Sequence, residues 1–385
     1  MITLQYRDIK SGPGICATNM VNNLSKWGHK ITVITPPNNI EREDVRFIFV
    51  PVSRFDPTPH KWLSFSYNAA HKYKMLEGEH FDIVHFTDAK EAFFFPLDKV
   101  PMVGKVNGYS LAMATKNPLY YRKFYPADWI RRYFYENFAK FLERRALLKL
   151  KAIIANCEFV PTMLHKFYHI PPNKMHVIYN SIDLDRFKEK NLRRGRKKEG
   201  PIILLVGGNF QRKGLPLIIK AAPRVLEQYP SAQFHVIGHD PNVNKMRKLC
   251  RKERVDKAFQ FLGYVNNEDI GDYYKLADVF VMPSLAEALG TVFLEAMASG
   301  TPVIGGNVGG TKELIQDGKN GLLVEATDYD QLAEQILRLL NDRKLRTGII
   351  EEGYKTVRNY DMNKMLDETV SFYGKVLGMQ FNTSS

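Results

Sequence analysis

Residues 201–214 read PIILLVGGNFQRKG. A short apolar run rich in Ile, Leu and Val ends on paired glycines, and a helical period opens just past Gly214. That is the pattern of a buried parallel strand turning into a helix. Outward from here, similar strand-like runs recur at 232–238, 258–264, 277–283, 301–305 and 321–325, separated by helical segments. An earlier series occupies 30–36 (KITVITP), 45–52, 81–87 (FDIVHFT) and 151–157. Alternation of this kind builds a parallel α/β sheet, and its restart at 201 implies two of them.

Between the two series lies RFKEKNLRRGRKKEG, residues 186–200, a dense basic run without apolar periodicity. It reads as an interdomain linker. A nucleic-acid-binding tail is the competing reading, but beyond Phe187 the run lacks the interleaved aromatics such a surface uses, so no nucleic-acid partner is expected. The domains are therefore expected at 1–190 and 199–361, with a C-terminal helix over 362–380 returning to the first.

A chain of 385 residues, 44% of them hydrophobic, can bury two such cores. No stretch approaches the roughly 18 apolar residues of a membrane span, and Met1–Tyr6 enters strand-like sequence without a leader pattern, so a cytoplasmic location is expected. Cys16, Cys157 and Cys250 show neither zinc-site nor disulfide spacing, which fits a reducing compartment. The net charge of +14 draws anions to the surface without saying which.

The chemistry concentrates in PSLAEALGTVFLEAMASGTPVIGG, residues 283–306. A strand ends near Met282, a loop carries Glu287, and a helix starts around Gly290 with its free N–H groups and positive end facing the loop, a geometry that suits phosphate. Glu295 lies about one and a half turns in, within reach of a hydroxyl-rich group beside that phosphate. Two glutamates near a helix start can also be solvated or capping, but AEALG and LEAMASGTPVI leave these in an almost uncharged run. In GGNFQRKG, residues 207–214, glycines let the backbone approach a ligand, and Arg212 and Lys213 suit a pyrophosphate that gains charge as a bond to sugar breaks. A solvated basic turn is the alternative.

Glu287, seven intervening residues, Glu295 and then AMASGTPVI resemble the paired-glutamate motif of the retaining family 4 glycosyltransferases. That resemblance implies the GT-B fold: two Rossmann-like parallel-sheet domains facing each other across a cleft. It also implies that Glu287 contacts the donor sugar hydroxyls and Glu295 the ribose of the nucleotide. The Arg-Lys-Gly tripeptide at 212–214 is similar to that of a subset of the family, with Arg212 supplying a charge that many relatives place near Asn209. HVIGHD (235–240), FLGYV (261–265) and PSLAEALG (283–290) look like the segments around base and ribose. This adds Gly208, Gly238, Gly263, Tyr264, Leu285, Leu289, Gly290 and Thr291 as donor neighbours, several through backbone atoms. SGPGICATN at 11–19 resembles the first loop, whose Gly12 and Gly14 would approach the donor phosphate. Any Rossmann-like turn needs such glycines, but a full dinucleotide fingerprint is absent.

Asp183 and Asp185 imitate a metal-binding pair, yet enzymes of this fold need no metal, so neither metal nor cofactor is expected beyond the nucleotide-sugar co-substrate. Relatives often carry a histidine at the end of the strand at 102–108, where this chain has Asn107. Asparagine cannot take a proton. Asn107 is therefore assigned to the catalytic centre as a sugar or acceptor contact and not a base. His85 is a further candidate, against a structural role at a strand end.

Residues 116–151 interleave cations such as Arg131, Arg132 and Arg144 with rings such as Tyr133, Phe134 and Phe138. Such a stretch can lie on an anionic bilayer, although its rings can also pack the first domain's core. The expected function is transfer of a hexose from a UDP- or GDP-sugar to a membrane-associated or lipid-linked glycan, the enzyme being peripheral on the inner face of the membrane. A sugar-nucleotide epimerase of the same fold and a silent nucleotide-sugar-binding scaffold remain as rivals.

Overall fold

The computed structural model describes residues 1–4, 6, 12–38, 42–56, 61–97, 99–107, 129–187 and 199–379. Among these the chain forms two compact units, the first comprising Met1–Asn180 with the segment from Asn363 onward, the second Ser181–Met362.

In the first unit, helix α1 (Gly12–Lys26) precedes strands β1 (Ile31–Thr35) and β2 (Val45–Phe49), helix α2 (Trp62–Lys74), and strands β3 (Val84–Phe86) and β4 (Met102–Val106). Helix α3 (Trp129–Lys149), β5 (Ala152–Ala155), α4 (Phe159–Tyr168) and β6 (Met175–Val177) follow. All pairings are parallel: β1 with β2, and β3, β4, β5 and β6 in sequence. Ile2 bridges both Ile34 and Phe86 in parallel, so the first residues insert between β1 and β3. Strands β4 and β5 are buried throughout, as strands sandwiched between helix layers are, with Lys105 the one charged residue in them.

The second unit runs β7 (Ile202–Val206), α5 (Leu215–Gln228), β8 (Gln233–Ile237), α6 (Val243–Lys252), β9 (Phe259–Gly263), α7 (Ile270–Leu276), β10 (Val279–Met282), α8 (Thr291–Ala298) and β11 (Val303–Gly306). It continues through α9 (Thr311–Leu314), β12 (Leu322–Val324), α10 (Tyr329–Asn341) and α11 (Arg343–Val357). Its parallel sheet has the order β12-β11-β10-β7-β8-β9, the Rossmann order, in which the chain reverses direction between β7 and β10. Helix α5 shows why this sequence folds so: Leu215, Ile218, Ile219, Ala222 and Val225 recur at helical spacing and are all buried. Each large aliphatic side chain so buried contributes about 1.5–3 kcal/mol. Asp328 and Asp342 accept the N–H groups of Gln331 and Leu345, capping α10 and α11.

The division between units falls at Asn180, before the basic run in which a boundary near 190 was expected. Residues 181–187 belong to the second unit because Ile182 N–H donates to Tyr360 O, Arg186 donates to the Asn267 carbonyl, and the buried Phe187 packs edge-on against Tyr274. Residues 188–198, the heart of the expected linker, lie outside the described residues. The C-terminal helix α12 (Met362–Leu377) packs on the first unit. Phe372 stacks on His176 at 4.9 Å, and the Tyr373 hydroxyl lies 2.7 Å from His85 Nδ1. His85, the middle residue of β3, thus ties that strand to the C-terminal helix, the structural role weighed against a catalytic one.

Burial, together with the charges of Lys105 and the N-terminus, pushes the His85 imidazole down to about 3, so the fold holds it neutral. The unfolded chain would protonate it near 6.5. Between those values the unfolded state binds more protons, so stability falls as pH falls from 6.5 towards 3. The slope from this group reaches about 1.4 kcal/mol per pH unit. Urea unfolding of the wild type and His85→Asn between pH 7 and pH 4 should show the steeper loss in the wild type. Parallel pH profiles would contradict this assignment.

Candidate functional site

The reversal of strand order between β7 and β10 opens a crevice at their C-terminal ends, where open α/β sheets bind ligands. The loops that leave these strands carry the residues singled out from sequence. Gly214 has φ 82°, and a Cβ there would lie 2.2 Å from the Pro283 carbonyl oxygen, so only glycine lets the first loop meet the second. Leu285 N–H donates to Arg212 O at 2.8 Å, stitching the loops together. The end of β8 is drawn in the same way, because Gly238 (φ 135°) passes so close to Gly207 that a Cβ would lie 2.2 Å from its carbonyl oxygen. Asp240, just beyond, accepts Phe210 N–H at 2.6 Å and Asn242 N–H at 2.7 Å, fixing the glycine-rich loop from below.

On this frame Arg212, Lys213 and Glu287 come together. Lys213 Nζ donates to Glu287 Oε2 at 2.5 Å, and Arg212 Nη1 donates to the same oxygen at 3.1 Å and to Ala286 O at 2.8 Å. The three side chains are 11–14% exposed, low enough to strengthen each charge while leaving one edge open. Burial by itself would raise the Glu287 carboxyl, but the charges and hydrogen bonds of Lys213 and Arg212 outweigh it and hold the group down at about 2. Glu287 is therefore a carboxylate at any working pH, fit to accept hydroxyl protons in hydrogen bonds and unfit to act as an acid. Burial lowers Lys213, the Glu287 charge opposes that, and Arg212 lowers it further. Among the described residues all of these bonds fall on Oε2, which leaves Oε1 open.

Helix α8 begins beside this cluster. Its N-cap Gly290 sits at φ 81°, ψ 68° and supplies no side-chain cap; Phe293 N–H turns back to Gly290 O at 3.0 Å, and the N–H groups of Thr291 and Val292 keep their donor capacity. Glu295 lies one turn further on and accepts the Tyr274 hydroxyl at Oε2, 2.8 Å away. Burial raises the Glu295 carboxyl, with the Tyr274 bond and the Arg186 charge opposing.

The remaining sequence candidates separate into groups. Gly208 lies against the loop after β8, where a Cβ would be 3.0 Å from His239 O. Gly263 (φ 72°) accepts Gly238 N–H at the end of β9 and has open space around it, with the half-exposed Tyr264 next in the chain. Leu285 and Leu289 bury their side chains, at 6% and 1% exposure, so only their backbone can meet a ligand. Gly12 and Gly14 do not form a loop ahead of α1; both lie in its first turn, where Pro13, lacking an N–H, costs the helix nothing.

Asn107 belongs to the first unit, at the end of β4. Its Nδ2 donates to Thr87 O at 3.2 Å, and its carbonyl accepts from Asn156. With Cys16, His85, Thr87 and Lys105 it lines a cavity of about 10 Å³. Asp183 Oδ1 accepts Asp185 N–H at 3.1 Å, capping a short turn. Among the described residues no cluster of three or more His, Cys, Asp or Glu is arranged for a metal ion.

Sequence reading missed Tyr274, which holds Glu295, and the anchoring role of Asp240. Asp240 carried a signal, being a carboxylate just after a strand-ending glycine. Tyr274 carried none, because its partner is brought to it by packing of α7 against α8.

Residues 187–356 match the family described as Glycosyl transferases group 1, and residues 10–186 match Glycosyltransferase Family 4. An uncharacterized glycosyltransferase of Methanocaldococcus jannaschii is 36% identical over 216 residues, 54% of this chain and 55% of that protein. A GDP-mannose-dependent alpha-(1-6)-phosphatidylinositol monomannoside mannosyltransferase of Mycobacterium tuberculosis is 33% identical over 186 residues, 45% of this chain and 48% of that protein. The chain thus spans about half the length of the curated relatives it matches. The structure of sucrose-phosphate synthase from Thermosynechococcus elongatus superposes with TM-score 0.80 at 19% identity, covering 98% of both chains, a likeness of fold. With adjoining family matches over both units and paired Rossmann-like parallel sheets, the chain belongs to the group 1, family 4 glycosyltransferases of GT-B fold.

Proposed function

We propose that this protein is a retaining glycosyltransferase that moves a hexose from a UDP- or GDP-sugar to a membrane-associated or lipid-linked glycan, without a metal ion. The observation that carries the reading is the pair of buried cations, Arg212 and Lys213, converging on Glu287 where the strand order reverses. A nucleoside diphosphate brings negative charge to that place, and the uncapped first turn of α8 adds N–H donors. Glu287 Oε1 accepts a sugar hydroxyl, and Glu295 accepts the ribose.

In the reaction the bond between the anomeric carbon and the diphosphate oxygen breaks, and the acceptor oxygen bonds to the same face of that carbon. The acceptor's proton passes to the departing phosphate. Arg212 and Lys213 stabilise the charge that grows on the leaving group, which is why no metal is required. Asn107 contributes a sugar or acceptor contact and no base, since its amide does not titrate. The mycobacterial relative's dependence on GDP-mannose and its phosphatidylinositol-based acceptor support a nucleotide-sugar donor and a lipid-linked acceptor.

A membrane-facing surface is supported by α3. Ile130, Phe134, Phe138 and Phe141 lie 54–68% exposed along one face, while Leu142, Ala146 and Leu147 bury the other. The described rings of this helix thus lie on its exposed face, and the apolar side chains it buries are aliphatic. Residues 116–128 of the basic aromatic stretch lie outside the described residues. Among the described residues no helix is long and apolar enough to cross a membrane.

A thermal-shift screen of UDP-, GDP- and ADP-sugars identifies the donor, because a ligand at 100 times its Kd stabilises by about 2.7 kcal/mol. With that donor, Arg212→Ala or Lys213→Ala should lower turnover on the order of 10²-fold. Wild-type turnover in either variant would overturn the site. In vesicle co-sedimentation, binding should rise with anionic lipid by about 1 kcal/mol per basic residue engaged, and Phe134→Ser with Phe138→Ser should weaken it. Indifference to lipid charge would count against the membrane surface.

A further inference from the structure

The geometry points to Tyr274 as the positioning residue that aims Glu295 at the nucleotide ribose. The inference rests on the donor reading above. Tyr274 is fully buried in the middle of α7, and its hydroxyl reaches Glu295 Oε2 on α8 at 2.8 Å. Its ring is clamped edge-on by Phe280 of β10 at 5.6 Å and by Phe187 at 6.4 Å. Its backbone carbonyl accepts the Thr301 hydroxyl at 2.6 Å, in the turn that leads from α8 to β11. The hydroxyl therefore has one place to point, and a tyrosine so fixed holds the carboxylate in a single rotamer.

The arrangement repeats, with a different donor, what Arg212 and Lys213 do for Glu287. In each acid a protein donor takes Oε2, and among the described residues Oε1 is left for a substrate hydroxyl. A neutral donor suits Glu295. Ribose hydroxyls are bound equally in the ground and transition states, so Glu295 needs a fixed direction more than a neighbouring full charge. Arg186 lies near enough to favour the Glu295 carboxylate by its charge, yet it makes its hydrogen bond to the Asn267 carbonyl. Tyr274 alone, among the described residues, holds the carboxylate by contact.

A residue that acts through Glu295 on ribose changes donor binding and leaves the chemical step alone. Tyr274→Phe keeps the buried ring and removes only the hydroxyl, and a hydrogen bond to a charged acceptor corresponds to a loss of about 10- to 100-fold. The experiment compares wild type, Tyr274→Phe, Glu295→Gln and the double variant, titrated with the preferred nucleoside diphosphate and its 2′-deoxy and 3′-deoxy forms. Donor KM and kcat are measured beside the titrations. We expect the wild type to prefer the ribose form and Tyr274→Phe to lose about tenfold on it but little on the deoxy form that lacks the bonded hydroxyl. Donor KM should rise at unchanged kcat, and Tyr274→Phe should add nothing in the Glu295→Gln background. The acid limb of donor binding should also move to higher pH in Tyr274→Phe, because the bond that favours the carboxylate is gone.

Equal losses on ribose and deoxyribose forms, or independent losses in the double variant, would overturn the role of Tyr274. A wild type that binds no nucleoside diphosphate would instead overturn the donor reading on which it rests.

Discussion

The second unit is organised around one buried carboxylate shared by two cations. Taking Glu287 out of water costs several kcal/mol, a cost that Lys213 at 2.5 Å and Arg212 at 3.1 Å must offset. They do so only because Gly214 lets their loop press against Pro283 and because Leu285 ties the two loops by a backbone bond. The hydrogen-bonded trio thus fixes the loops that leave β7 and β10, and those loops are where the sheet opens to a ligand. Without a carboxylate between them, the two cations would repel each other in a poorly solvated corner. With it, the two cations are held side by side on one carboxylate oxygen.

Charge balance also sets the two glutamates apart. Glu287 is held ionised by full charges, at the place proposed for the diphosphate. Glu295 is raised by burial and steadied by a phenol, as a group proposed to hold a neutral hydroxyl would be. The two acids look alike in sequence and differ in surroundings, and the difference comes from residues distant in the chain.

That is also the limit of what was legible in the sequence. The two sheets, the restart at residue 201 and the strand ends at Val206 and Met282 follow from local apolar runs, which report burial directly. Arg212, Lys213 and Glu287 could be named because their loops follow strands at positions where a Rossmann-like sheet binds ligands, and Glu295 because it lies in the helix that follows, at the spacing of the paired-glutamate motif. The unit boundary at Asn180 was not legible, since Ile182 and Phe187 are held by Tyr360 and Tyr274, contacts with no local trace. Nor was the helical conformation of Gly12 and Gly14, where glycine composition suggested a loop and Pro13 instead suits a helix start. Tyr274 stayed hidden for the same reason as the boundary: a buried tyrosine looks like core until its hydroxyl is followed to its acceptor.

The central claim is that Arg212 and Lys213 are set to take a diphosphate. Calorimetric titration of the wild type and Lys213→Met with a nucleoside diphosphate and the matching monophosphate isolates the second phosphate. The account predicts at least about a tenfold preference for the diphosphate in the wild type, the scale of a charge-assisted bond, and loss of most of it in the variant. A wild type that binds both nucleotides alike, or a variant that keeps the full preference, would contradict it.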